Sequence, residues 1–543
     1  MQSLLSNAET LVHLYQPSRT SNMPSFLIVL FNLFVTTLFI LVINKLYQYV
    51  TPRSSLPYPP GPPGDFFIGS LRQMPSEYAW SIFTEWAHKY GPITYINVAG
   101  DPVVIVNTQE AAMDLLEKRS AIYSDRPRFV MACELSGLDQ SVALMDSGPG
   151  HTKQRKIMQQ ALHPRVVAKD YTPIQERFTH RLAKNLLDEP DKFTEHFGRC
   201  IAGTIQTLTY GEDHGDGEVD YVELGMTNAR QINSLVRGYV VDYLPWLRYI
   251  PEWFPGAQFK RYARTVRETA QRAQWLPYNM VKAKAATGNA PPSYVLAALE
   301  AMDTPEGSDY DDQTISMSAS TLLSAGSDTT TGALSALVYA MLLHPDVQAR
   351  AQAELDHIFG DQLPTVAGRD STPYLNAIMA ETFRWSPPVP VDVPHSVKQD
   401  DVYNGYFIPA GTRVLANAWA ILRNEKDFPN PNKFDPDRFL AKYSSPQDEG
   451  AIDPRPDPLT IVFGYGRRAC PGIHVAQSGL WLAMATILSC FDIRPKIDPK
   501  TMKPMILEPK FTGFALSVPS AHVCDIKPRS RSHANRILEA VDN

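Results

Sequence analysis

The 543-residue chain divides first by its hydrophobic pattern. Near the start lies one unbroken apolar run, Phe26 to Ile43 (FLIVLFNLFVTTLFILVI), eighteen residues without a charge. That length is at the lower limit for a membrane-spanning helix, and Leu46 and Tyr47 extend it past Lys45. A cleaved signal peptide would have a basic start, a shorter apolar core and small residues at a cleavage site. None of these is clear, so the pattern predicts an uncleaved anchor over 26–47, with a buried core helix as the alternative. Lys45 and Arg53 after the run outnumber Arg19 before it. That positive excess puts the C-terminal side in the cytosol and residues 1–25 in the lumen. Five prolines in Leu56–Gly64 rule out a helix interior and predict a stiff, extended hinge over 48–64.

From residue 65 the pattern becomes periodic, and one globular unit is expected to run to 525, followed by a C-terminal tail, 526–543. Helical spacing over Tyr78–Tyr90 stops at Gly91-Pro92. Thr94–Val98 and Pro102–Val106 read as a hairpin around Gly100-Asp101. Gln109–Arg119 is helical, residues 129–145 read as a long loop, and Gly148-Pro149-Gly150 opens another helix. Residues 171–300 show helical patterns broken near 211–218 and 244–256. The second break carries Trp246, Trp253 and Phe254. It reads equally as a buried connector or as an apolar loop that dips into a membrane and admits lipophilic molecules. The longest pattern, Gln313 to Leu343, contains no proline. Asp311 and Asp312 suit its N-terminal dipole, His344-Pro345 ends it, and at about 1.5 Å per residue it spans about 45 Å. A shorter helix runs from Pro373 to Pro387-Pro388. Asp400–Thr412 reads as strands joined by glycine turns. The fold class is therefore mostly α with a smaller β-rich part.

Composition changes this picture little. The chain is 44% hydrophobic and 20% charged, and no linker after residue 64 supports division into several domains. A net charge of −6 argues against a nucleic-acid surface. Five cysteines, with no C-x-x-C pair, argue against a disulfide scaffold or a zinc ribbon.

Three stretches break local rules in ways that point to chemistry. In Phe463-Gly464-Tyr465-Gly466-Arg467-Arg468-Ala469-Cys470-Pro471-Gly472 a single cysteine sits among three glycines and two arginines. Glycines let backbone N–H groups turn toward a sulfur, and N–H groups with arginine charge favour thiolate over thiol. Cys470 therefore reads as an electron-rich metal ligand. In Ala325-Gly326-Ser327-Asp328-Thr329-Thr330, poor helix formers occupy the middle of the longest helix, and such a violation often marks a functional site. Small residues there let a flat ligand approach the backbone, and Thr329 can bond back to the Ala325 carbonyl or turn to the ligand. Glu381 and Arg384 share a helix face at i,i+3, a spacing that locally suggests a weak surface pair.

Together these stretches resemble the cytochrome P-450 superfamily. Phe463, Gly466, Arg468, Cys470 and Gly472 match its heme signature F-x-x-G-x-R-x-C-x-G. Residues 325–330 match A-G-x-[DE]-T-[TS]. Glu381 and Arg384, with Arg438 in Phe434–Phe439, match E-x-x-R and P-x-R-F. The resemblance covers residues 56–525 and is nearest in style to fungal microsomal members. It implies the cytochrome P-450 fold behind a transmembrane helix, and heme b with Cys470 as axial ligand. By the same resemblance, Arg155, His395, Arg468 and His151 hold the heme propionates, His151 standing where the family has tryptophan. Asp328 and Thr329 deliver protons, Ala325 and Gly326 line the oxygen groove, and Glu381, Arg384 and Arg438 form a buried structural triad. Val389–Val393 and Phe511–Phe514 would touch substrate. The implied reaction is O2-dependent hydroxylation or epoxidation of a lipophilic small molecule, such as a terpenoid or polyketide of secondary metabolism, at the endoplasmic reticulum membrane. The implied partner is an NADPH-dependent flavoprotein reductase, with a small heme protein as an optional second electron carrier. Two rival readings are a reductase-independent, peroxide-rearranging heme-thiolate isomerase and a non-catalytic membrane heme sensor or carrier.

Overall fold

Half of the proline-rich hinge is pinned to a sheet. The computed structural model describes residues 32, 33, 36, 54–212, 219–235, 238–444, 455–505, 511–513, 515–519 and 524–542. The expected lumenal segment and nearly all of the anchor over 26–47 lie outside these residues. Met1–Pro57 and Tyr58–Asn543 are separate compact units, so the boundary falls inside the expected hinge. Beyond it the Tyr58 ring stacks on Tyr95 at 4.8 Å, and the Tyr95 N–H donates to the Pro60 carbonyl at 2.9 Å. A β-carbon on Gly61 would lie 1.8 Å from the Tyr95 carbonyl oxygen, so only glycine fits this approach.

Helix α1 (Ala79–Tyr90) leads into strands β1 (Ile93–Val98) and β2 (Asp101–Val106), paired antiparallel. The turn is Ala99-Gly100, with φ of +55° and +107°, one residue earlier than expected. Asp101 is drawn into the strand by pairing with Val98. The loop expected at 129–145 contains a short wide-pitch helical turn, Val130–Leu135, buried through Val130, Met131 and Ala132.

A helical layer follows: α2 (Pro149–Ala161), α3 (Thr172–Asp188), α4 (Phe193–Tyr210), α5 (Tyr221–Leu235) and α6 (Gln258–Ala286). Helices α2, α4, α5 and α6 pack on α7 (Asp312–Leu343), 32 residues long, and α3 packs on α4. The Asp311 side chain caps α7 by accepting from the Thr314 N–H at 2.7 Å. Its C-terminal half, Gly332–Leu342, is buried throughout. The helix tolerates its many alcohols because they bond back to its own carbonyls one turn earlier: Thr321 to Met317, Ser324 to Ser320, Ser327 to Leu323, Thr329 to Ala325, Thr331 to Ser327 and Ser335 to Thr331.

Helices α8 (Pro345–Phe359) and α9 (Pro373–Trp385) precede the remaining small strands, β3 (His395–Ser396), β4 (Asp401–Tyr403), β5 (Tyr406–Ile408) and β6 (Arg413–Ala416). β6 runs parallel to β2 and completes a sheet of order β1-β2-β6-β3. β4 and β5 form a hairpin whose turn, Asn404-Gly405, has φ of +51° and +81°, the geometry that Asn-Gly favours. After the cysteine loop comes α10 (Ile473–Cys490). Among the described residues it is the one helix long and apolar enough to cross a membrane, yet 67% of it is buried in the protein. It is a core helix, packed in one cluster with α7, α8 and α9.

The C-terminal residues form part of this unit, which corrects the tail expected from residue 526. Strand β7 (Phe491–Pro495) pairs with β8 (Cys524–Pro528), and α11 (Arg531–Asp542) packs on α3 with Ile537 fully buried. Arg529 adds a two-pronged bond to Asp356 at 2.6 and 2.8 Å. The observed class is mostly helical with a small sheet component.

Candidate active site

The cysteine loop is shaped by glycines that cannot be replaced without strain. Gly466 has φ of +54°, and a β-carbon there would lie 2.5 Å from the Leu116 carbonyl oxygen. Its N–H donates to the Glu117 carboxylate. The Cys470 N–H donates to the Phe463 carbonyl at 2.7 Å, closing the loop on itself. Cys470 is exposed and lines a cavity with Phe463, Ala469 and Ile473.

The loop's own arginines do not act on the sulfur as the sequence suggested. Arg467 is exposed, and Arg468 donates to the carbonyls of Ser124, Val142 and Met145 at 2.7 to 3.0 Å. Burial pushes the Cys470 thiol up, and the Gly472 N–H and the Arg155 charge pull it back only in part. Arg155 reaches the loop from α2, donating to the Ala469 carbonyl at 2.8 Å.

Five cationic or basic groups converge beside this loop: His151 and Arg155 on α2, Arg468, His395 on β3, and Arg126. Sequence reasoning missed Arg126, which sits in an aperiodic stretch with no pattern to single it out. It donates to the carbonyls of Ala143, Val393 and Pro394 at 2.7 to 2.8 Å. Burial, then the neighbouring Arg468, pushes it down to about 9. Burial and the surrounding arginines push His151 to about 4 and His395 to about 3. Arg468 falls to about 10, mainly through burial. His395 donates through Nδ1 to the Tyr123 carbonyl at 2.7 Å. Buried positive groups that repel one another fit an anionic ligand set among them.

On α7 the expected oxygen-groove residues divide between two faces. Ala325 and Thr329, one turn apart, line a cavity together with Val389, Val391, Val393 and Leu144. Gly326 and Thr330 face the other way, into a smaller apolar cavity closed by Gly472, Val475 and Ala476 at the start of α10. A β-carbon on Gly326 would lie 2.6 Å from the Ile205 side chain, so its smallness serves packing against α4. The Thr329 hydroxyl donates to the Ala325 carbonyl at 2.9 Å. The Asp328 carboxylate accepts from the Asn233 amide of α5 at 2.7 Å, a partner that nothing in the sequence marked. Burial pushes Asp328 above the usual carboxylate range, against the pull of Asn233.

Behind the loop, Glu381 and Arg384 are fully buried and joined by two bonds of 2.6 and 2.8 Å. Arg438 approaches Glu381 at 3.6 Å and donates to the carbonyls of Pro429 and Asn430. The Asp435 N–H also donates to Glu381 at 2.7 Å. Removing one member of such a network costs about 3–5 kcal/mol, because a buried charge is left unpaired. Of the turn expected to touch substrate, Phe511–Gly513 are described and Phe514 lies outside the described residues; Ala515 and Leu516, just beyond, line the larger cavity.

The sequence profile of the family described as Cytochrome P450 matches residues 59–524, which include the cysteine loop, the cation cluster and all of α7. The chain belongs to the cytochrome P450 family. Among its relatives, Cytochrome P450 monooxygenase 98 of Postia placenta is 37% identical over 497 residues, 90% of this chain and 94% of that one. Tryptamine 4-monooxygenase of Psilocybe cyanescens is 36% identical over 485 residues, 88% of this chain and 94% of the relative. Cytochrome P450 proteins carry heme on a cysteine, and the residues present suit that group. A cysteine held at the mouth of a glycine-shaped loop, with a buried cation cluster against that loop, suits an iron ligand and two propionates.

Proposed function

We propose that this cytochrome P450 is a membrane-anchored monooxygenase that hydroxylates or epoxidises a lipophilic small molecule. The observation that carries the reading is the conjunction of the Cys470 loop and its cation cluster with an acid–alcohol pair on α7 beside a mostly apolar cavity. Heme, when bound, supplies the activation of dioxygen, one atom of which enters the substrate while the other leaves as water. Cys470 would hold the iron, with the Gly472 N–H supporting the sulfur. Arg126, Arg155, Arg468, His151 and His395 would hold the propionates. Asp328, raised by burial, holds a proton readily, and the Thr329 hydroxyl, one residue on, can relay it at the cavity wall. Glu381, Arg384 and Arg438 serve folding and heme retention.

The intact acid–alcohol pair favours oxygenation over peroxide rearrangement or heme carriage. One relative is named for monooxygenation of tryptamine, which supports small-molecule oxygenation as the class. Fungal relatives are consistent with a terpenoid or polyketide of secondary metabolism. Electrons would come from an NADPH-dependent flavoprotein reductase, with a small heme protein as an optional second donor. The apolar run over 26–47 supports residence in the endoplasmic reticulum membrane with the catalytic unit in the cytosol. Exposed Trp246, Tyr249 and Trp253, at 60%, 72% and 80%, favour the membrane-dipping reading of the 244–256 break.

The test is co-expression of the full chain with such a reductase. The protein should stay with membranes through alkaline carbonate washing and show a thiolate-type carbon monoxide band. It should also form oxygenated product in proportion to NADPH consumed. A normal heme band without NADPH-dependent product on any of a broad metabolite panel would favour the sensor or carrier reading.

A further inference from the structure

Helix α5 meets α7 at three successive places along one seam. Gly225 sits against Leu323, where a β-carbon would lie 2.5 Å from the leucine side chain. Three residues on, the Asn228 amide donates to the Ser324 hydroxyl oxygen at 3.0 Å, both side chains buried. Five residues further, the Asn233 amide donates to the Asp328 carboxylate at 2.7 Å. Ser324 and Asp328, four residues apart, share one face of α7. The first two contacts therefore fix the height at which Asn233 arrives.

Asn233 also borders the cavity that Thr329 and Ala325 line. Consecutive helix positions point about 100° apart, so Asp328 does not share the direction of Thr329. Its own helix offers it no donor one turn to either side. Ser324 and Thr331 have given their protons to the Ser320 and Ser327 carbonyls. Among the described residues, Asn233 is the one donor to the Asp328 side chain. The charge that acts on Asp328 is that of Arg230, also on α5 and itself bonded to Glu223 at 2.6 Å. The other elements packed on α7 bring none to it among the described residues. Burial pushes the carboxyl up, and the Asn233 bond opposes that push more strongly than Arg230 does.

We propose that Asn233 is a positioning residue for proton delivery: it fixes the direction of the Asp328 carboxyl and weakens its hold on the proton destined for Thr329. The proposal rests on the proton relay stated above and adds the residue that governs it. A carboxylate only accepts, so an amide that donates to it favours the ionised form. A buried carboxyl left to itself would keep its proton and stall the relay. One drawn into a full salt bridge would seldom regain its proton. The neutral amide holds Asp328 between these limits, and a proton donor works best when its affinity for the proton matches the working pH. The hold comes from α5, whose Asn228, Ile232 and Asn233 also border the ligand cavity. The acid is thus held by a wall that the substrate touches.

The test is a pH titration of the full-length, heme-loaded protein followed by infrared spectroscopy. The carboxyl band of Asp328 is identified as the one missing from Asp328→Asn. Asn233→Leu removes the amide at nearly constant volume. Its Asp328 midpoint is expected to rise by about one pH unit, the scale of one hydrogen bond to a charged group. A proton donor works only while protonated. With a reductase present, the pH above which NADPH consumption declines should therefore rise by the same amount. An unmoved infrared midpoint, or a moved midpoint with an unmoved pH profile, would overturn the proposal. A uniform loss of rate at every pH, with both midpoints in place, would also overturn it and make Asn233 structural only. Should Asn233→Leu fail to take up heme, Asn233→Ala is compared in the same way. Failure of the relay itself would look different: Asp328→Asn would consume NADPH at the wild-type rate at every pH.

Discussion

Cys470→Ala is expected to abolish the thiolate-type carbon monoxide band and to bring NADPH-dependent product formation to background. The loss should be specific to this sulfur. Burial pushes the thiols of Cys133, Cys200, Cys490 and Cys524 up to about 12, which leaves them as inert, hydrophobic side chains. Replacing each of these with alanine or serine should leave the band in place. Cys470 differs because its sulfur faces a cavity and receives the Gly472 N–H. Bound iron would meet the burial cost of its thiolate, since a coordinating thiol is deprotonated outright. Spectra of the five single variants decide the matter. A thiolate band retained in a folded Cys470→Ala protein would remove Cys470 as the ligand.

Thr329→Ala and Asp328→Asn are expected to fail in different ways. Without the Thr329 hydroxyl, the proposed relay would end one step short of the cavity. NADPH consumption should continue, product per NADPH should fall, and hydrogen peroxide should rise to match. Asp328→Asn keeps an oxygen for the Asn233 amide to donate to, so the helix contact survives while the titratable proton is lost. NADPH consumption itself should then slow. A positioned acid or base is worth about 10²–10⁴-fold, so both effects should be large. The measurement is the stoichiometry of NADPH, peroxide and product in each variant beside wild type. Unchanged coupling in Thr329→Ala would exclude the relay and strengthen the peroxide-rearranging alternative.

What could be read from the chain, and what could not, follows from the range of the forces involved. The ends of α7 were legible because Asp311 caps locally and His344-Pro345 stops locally. The hairpin at Asn404-Gly405 was legible because the two residues carry the turn's conformation themselves. The turn after β1 was placed one residue late because strand pairing recruited Asp101. Glu381 and Arg384 resembled a surface pair because spacing is local whereas burial is tertiary. Arg126 and Asn233 gave no signal, since each matters only through what other segments bring to it. The C-terminal tail was misjudged for the same reason: β8 is a strand only because β7 lies beside it, some thirty residues earlier in the chain. Gly326 lines the smaller cavity and also sits against the Ile205 side chain, a contact the sequence did not signal.

The crowd of buried positive groups beside the cysteine loop also bears on how long the protein lasts in a cell. Arg126, Arg155 and Arg468, with two histidines held neutral, are an electrostatic liability until anionic groups arrive. A ligand that binds only the folded chain adds stability as RT ln(1 + [L]/Kd), about 4 kcal/mol at a thousandfold excess over Kd. Much of the margin that keeps ordinary proteins folded is of that size. Heme supply should therefore set the abundance of this protein as well as its activity. In heme-starved cells the chain should be cleared by proteolysis at an unchanged rate of synthesis, and pulse–chase labelling with and without a heme precursor would read that difference directly.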